Sequence, residues 1–190
     1  MKARSKALLL ALCAVLLVAV SVLGTMAYLT SETKVITNTF TVGDINIALT
    51  ETKPESKQAK IIPGVDIEKD PKVTVKKDSE ACWLFVEVKE EGTFVANKVT
   101  YSIADGWTKG DGTKIPANVY YRAVDAVTND TDFAVLKDNK IYVSEELSKS
   151  DIQSITTQPK LTFTAYAVQK EGIDTAAAAW AKVNTTSGSN

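Results

Sequence analysis

Apolar and polar residues alternate with a period of two along much of the chain. Ile45, Ile47 and Leu49 alternate with Asp44, Asn46 and Ala48, and Leu84, Val86 and Val88 with Phe85, Glu87 and Lys89. Leu161, Phe163, Ala165 and Ala167 alternate with Thr162, Thr164, Tyr166 and Val168. Successive side chains of a strand point to opposite faces, so each run predicts a strand with one inward face. Residues 35–42, 60–67, 72–76, 99–103, 118–124 and 140–144 are further strand candidates, rich in β-branched and aromatic residues. Turn signals separate them, among them Pro63-Gly64, Asp70-Pro71, Asp105-Gly106, Asn129-Asp130 and Asp138-Asn139. Short strands at this spacing, with no long helices between them, predict an all-β fold: an antiparallel jelly-roll-like β-sandwich. Two short helices are expected, one over residues 148–154. The other is capped by Asp174, runs through Ala176–Ala179 to Lys182, and docks through Trp180.

Residues 1–27 follow a different grammar. Lys2, Arg4 and Lys6 precede an apolar run over residues 7–23 whose only polar member is Ser21, and Gly24-Thr25-Met26-Ala27 follows. A cationic start, an apolar middle and small residues at the end predict a secretory signal helix, cut between Ala27 and Tyr28. The competing reading is an uncleaved anchor. Residues 7–29 carry no charge, and at about 1.5 Å per residue they are long enough to cross a ~30 Å hydrocarbon layer. The expected organisation is a signal peptide (1–27), one β-sandwich domain (28–184) that begins with a β-prone segment (28–41), and a polar tail (185–190). Such a chain is secreted and meets the membrane only through its signal segment before cleavage.

Composition then narrows the chemistry. The 190 residues hold 22 Lys+Arg, 23 Asp+Glu and no His, for a formal charge of -1. Without a basic field, nucleic acid is not an expected partner. Without His, the commonest general base, the Ser-His and Cys-His dyads and the usual zinc ligand are all missing. HExxH, CxxC, GxSxG and phosphate-binding glycine patterns are absent as well. Asn129-Asp130-Thr131-Asp132 resembles the start of a calcium loop but lacks its glycine and distal glutamate, so solvated turn acids are expected. No catalytic residue, metal or cofactor is therefore expected. Of the two cysteines, Cys13 leaves with the signal, and Cys82, between Ala81 and Trp83, is expected to be buried. Trp83/Phe85 and Tyr120-Tyr121 have the chemistry to line a sugar-binding surface, although their strand spacing points to the core. A secreted binding module for a glycan or protein is the alternative function on that ground.

One stretch carries a more specific pattern. Gly24-Thr25-Met26-Ala27-Tyr28-Leu29-Thr30-Ser31 is followed by Thr39-Phe40-Thr41-Val42-Gly43-Asp44-Ile45-Asn46-Ile47 and then Ile62-Pro63-Gly64. This resembles the TasA/camelysin family of exported proteins of Firmicutes. Thr39, Phe40, Gly43, Pro63 and Gly64 stand at the family's motif positions; Met26 stands where the family has an aromatic. The resemblance implies cleavage by a SipW-type signal peptidase, a jelly-roll sandwich, and a structural role at the Gram-positive cell surface or in the biofilm matrix. It also implies self-association into fibres by strand addition, with Val35, Ile36 and Phe40 as the apolar residues of the donor strand. Some camelysin relatives are classed as metallopeptidases, but an activity of that kind is not expected from a chain without histidine.

Overall fold

The computed structural model describes residues 39–42, 45–51, 61–157 and 159–186. The expectations for the signal helix, the Ala27–Tyr28 junction, Val35, Ile36 and Gly43 lie outside the described residues. Among those described, the elements run β1 (Thr39–Val42), β2 (Ile47–Glu51), β3 (Ile67–Glu68), β4 (Pro71–Val75), β5 (Cys82–Glu91), β6 (Val99–Thr100), β7 (Thr108–Lys109) and β8 (Val119–Val124). They continue with β9 (Thr131–Ala134), β10 (Lys140–Val143), α1 (Lys149–Gln153), β11 (Lys160–Gln169) and α2 (Ala176–Thr186). The fold is all-β with two helices, as the alternation predicts.

A five-stranded sheet in the order β1-β11-β5-β8-β7 holds the two longest strands at its centre. β5 and β11 pair antiparallel through ten residues each, from Lys160 opposite Glu91 to Gln169 opposite Cys82. Their alternation has a different outcome on each face. Cys82, Leu84, Val86 and Val88 join Leu161, Phe163, Ala165 and Ala167 in the main core, together with Ile47 and Leu49 of β2 and Val73 and Val75 of β4. On the opposite face, Phe85, Val119 and Val168 form a second cluster with α2. The helix supplies Ala176, Ala179, Trp180 and Val183, spaced so that they share one face. Trp180 lies 5.2 Å from the ring of Phe85 and meets Tyr166 edge-on at 5.4 Å. Phe85 and Val168 are thus buried although a half-exposed strand would turn them to water, because α2 covers their face.

The remaining strands form two short sheets, β2-β4-β9 and β3-β10-β6. Backbone hydrogen bonds from Lys69 N to Asn139 O and from Val135 N to Pro71 O bridge the break between them. Their registers differ by two residues: Ile67 faces Ile141, whereas Lys72 faces Ala134. The 3₁₀ turn Lys137–Asn139 absorbs the difference, with Asp138 and Asn139 both at φ 54°, a left-handed region that these two residue types tolerate.

Several expectations are corrected. The sheets are not wholly antiparallel, since β1 runs parallel to β11. The strand expected over residues 60–67 shrinks to β3, because Pro63-Gly64 turns the chain inside it. Thr131–Ala134, read as part of an acidic turn, is strand β9. Asp174 does not cap α2. The Thr175 hydroxyl accepts from Ala178 N at 3.2 Å, one residue nearer the helix, where a cap oxygen can reach the first-turn amides. α2 also runs to Thr186, into the expected tail. The first helix is close to its expected bounds, closed by a reciprocal box between Ser148 and Asp151.

Candidate functional sites

The family-motif residues fall in two separate places. Thr39 and Phe40 open β1 at the edge of the five-stranded sheet, opposite Ala165 and Tyr166. β1 pairs with Ala165–Val168 of β11. Pro63 and Gly64 lie in the other layer. They form a tight turn in which Val65 N donates to Ile62 O at 3.0 Å and Gly64 N to Ser144 O at 3.3 Å. Proline followed by a glycine at φ 74° is the sequence that a type II turn requires. A Cβ on Gly64 would also approach Glu145 Cγ to 2.9 Å, so the exposed Glu145 side chain would have to shift, and the positive φ is what favours glycine here. The turn holds Ile62 and Val65 about half exposed, at 48% and 51%.

The sequence-selected aromatics separate by strand parity. Phe85 is fully buried beneath α2, and Trp83 and Tyr121 pack around the same cluster. The Trp83 indole donates to Ile173 O at 2.9 Å, so this group ties the β11–α2 turn to β5 and offers no open platform. Tyr120, one residue away from Tyr121, points to the other face. There it lines a cleft of about 470 Å³ with Glu90, Phe94 and Tyr101, floored by Val99 and Ile103. The Tyr101 hydroxyl donates to Glu90 Oε1 at 2.6 Å. Burial pushes the Tyr101 phenol well above the ordinary tyrosine range, and the hydrogen bond to Glu90 and its negative charge add to the shift. Tyr120 is raised by burial first and then by the same charge. From the sequence Glu90 reads as ordinary solvated charge, and it is exposed; Tyr101 reads only as part of the strand candidate 99–103. The signal for Glu90 was its parity: it follows Val86 and Val88 on the inward face of β5, where an acid breaks the apolar pattern.

Two further groups explain charged residues that the alternation leaves in or beside the core. Lys69 donates to Glu51 at 3.0 and 3.2 Å, with side chains 8% and 4% exposed, and its ammonium sits 5.6 Å from the Phe163 ring. Arg122, on the inward face of β8, lies 4.3 Å over Phe133 and 5.5 Å from Trp107, and desolvation lowers its pKa. Both use aromatic faces to accommodate a cation. The acids once compared with a calcium loop serve as strand clamps: Asp130 binds Lys76, and Asp132 binds Lys72 and Thr74. Among the described residues, no group of three His, Cys, Asp or Glu could hold a metal ion. Comparison with protein-family models, curated proteins and solved structures finds no match to this chain.

Proposed function

We propose that this chain is an exported structural protein of the Gram-positive cell surface or biofilm matrix, assembling into fibres by adding its N-terminal strand to a neighbouring copy after signal cleavage. The observation that carries this reading is the place of β1, which among the described residues is the edge strand of the five-stranded sheet and runs parallel to β11 in a largely antiparallel sheet. An edge with unpaired main-chain groups is a template for strand addition, and alternate side-chain pockets make such addition specific. The leader explains when this happens, because a membrane-tethered strand is not free to reach another molecule. Contacts of this head-to-tail kind do not close on themselves, so they propagate as filaments.

In finer detail we read the layers as a jelly-roll sandwich. β11, β5 and β8 lie side by side in one sheet and β2-β4-β9 and β3-β10-β6 form the others, so the chain passes repeatedly between sheets in a Greek-key-like way. The test is removal of residues 28–39. The intact processed protein should form filaments in negative-stain microscopy, and the shortened one should stay monomeric with an unchanged circular dichroism spectrum. Normal filaments from the shortened chain would refute strand addition. N-terminal sequencing of exported material should begin at Tyr28.

A further inference from the structure

We propose that the cleft between β5, β8 and the segment that follows β6 binds an alkylammonium group, with Glu90 as counter-ion and Tyr101, Tyr120 and Phe94 as its aromatic walls. No residue of β1 or β11 lines the cleft, and its ligand chemistry does not depend on fibre assembly. Its volume, about 470 Å³, falls within the ~300–1,000 Å³ range of small-molecule sites.

Charge decides the class of ligand. The cleft carries one carboxylate, and no Lys or Arg lines it. Lys109 faces Tyr120 across the β7–β8 ladder but does not line the cleft, and among the described residues no lysine forms an ion pair with Glu90. Lys89 and Lys160 pair instead with Glu91, at 3.0 and 3.5 Å, and strand parity puts Lys89 and Glu91 on the opposite face of β5 from Glu90. Across β11, Glu90 faces Leu161. Its described polar partner is the Tyr101 hydroxyl, which supplies a proton but no positive charge. The two phenols and the carboxylate line one space, and the Glu90 charge adds to the raised pKa of both Tyr101 and Tyr120.

A neutral sugar would use the rings and the hydroxyls of Thr100 and Ser102, but it would draw nothing from the charge of Glu90, which is exposed at the cleft. A cation over aromatic faces beside a carboxylate gains from both the ring quadrupoles and the opposite charge. Either a free quaternary amine or a lysine side chain of a peptide offers this chemistry.

The test uses the full chain in a polyoxyethylene detergent and follows amide chemical shifts by NMR. Tetramethylammonium, choline and Nα-acetyl-lysine amide are titrated beside two neutral probes, 3,3-dimethylbutanol and N-acetylglucosamine. The expected result is saturable, millimolar binding of the cations, with shifts centred on Tyr101, Ser102 and Tyr120. Glu90→Gln, which keeps an acceptor for Tyr101, and Tyr120→Ala should each weaken binding roughly tenfold or more, while Glu171→Gln, in the exposed β11–α2 turn, should not. Tighter binding of choline than of the lysine probe would assign a small-molecule amine, and the reverse a peptide. Equal binding of dimethylbutanol, preference for the sugar, or no saturable shift with any cation would overturn the proposal. Unchanged shifts outside the cleft in the variants keep a folding defect distinguishable from a lost site.

Discussion

Replacing one member of the Lys69–Glu51 pair tests whether the core tolerates this charge only because it is compensated. Lys69→Met takes the ammonium of Lys69 away from a carboxylate 4% exposed, and Glu51→Leu leaves an ammonium 8% exposed beside Phe163. An uncompensated buried charge costs about 3–5 kcal/mol when its partner is removed, far more than the ~0.2–1 kcal/mol of an exposed pair. For a domain of this size, 1 kcal/mol corresponds to roughly 2–4 °C in melting temperature, so each single variant should melt about 6–20 °C lower. The double variant Glu51→Leu/Lys69→Met removes both charges and both desolvation penalties. It should return to within about 1 kcal/mol of the wild type, or exceed it, since apolar replacement of a buried pair is often neutral or stabilising. Urea denaturation of the four proteins followed by tryptophan fluorescence gives the cycle directly. Single variants costing under about 1 kcal/mol would show that water reaches the pair. A double variant as unstable as the two singles summed would show that each residue acts alone and would refute the compensation argument.

Three other outcomes are expected. Trp180→Ala deletes a side chain 5% exposed between Phe85 and Tyr166, and it should cost about 3–5 kcal/mol in denaturant titrations and flatten the near-ultraviolet circular dichroism; a loss below about 1 kcal/mol would mean that α2 is not docked through this ring. Asp111 accepts from the backbone amides of Thr113, Lys114 and Ile115, and these bonds hold its carboxyl well below the usual range, as Lys98 and Ser148 do for Asp151. The charged forms are favoured by the fold, so this stability is present above the ordinary aspartate value of 3.8 and is lost as pH falls below it. The melting temperature should therefore drop between neutral pH and strong acid, and Asp111→Asn should flatten that slope; an identical slope would remove Asp111 from the account. Cys82 is fully buried, and desolvation pushes its thiol up to about 11, so Ellman's reagent should label it only in denaturant; rapid labelling of the native protein would contradict its place in the core.

Local pattern made the strand content and much of the core legible. Alternation in residues 45–49, 84–89 and 161–168 placed β2, β5 and β11 and their inward residues, because side-chain direction along an extended chain depends only on parity. The Pro63-Gly64 turn and the first short helix were readable for the same local reason: ring geometry, positive φ and capping act over a few residues. What parity cannot convey is what covers the second face. Only the docking of α2 decided that Phe85 and Val168 are buried, and only the packing of residues 99–103 near β5 and β8 gave Tyr120 a cleft to line. Pairing partners were likewise beyond local reach. The parallel sense of β1 against β11 joins residues more than a hundred positions apart, and the burial of Lys69 with Glu51, like the meeting of Glu90 with Tyr101, depends on how separate strands are brought together. Strand formation is governed by near neighbours along the chain, whereas sites are made by contacts between elements, and those contacts exist only once the layers have packed.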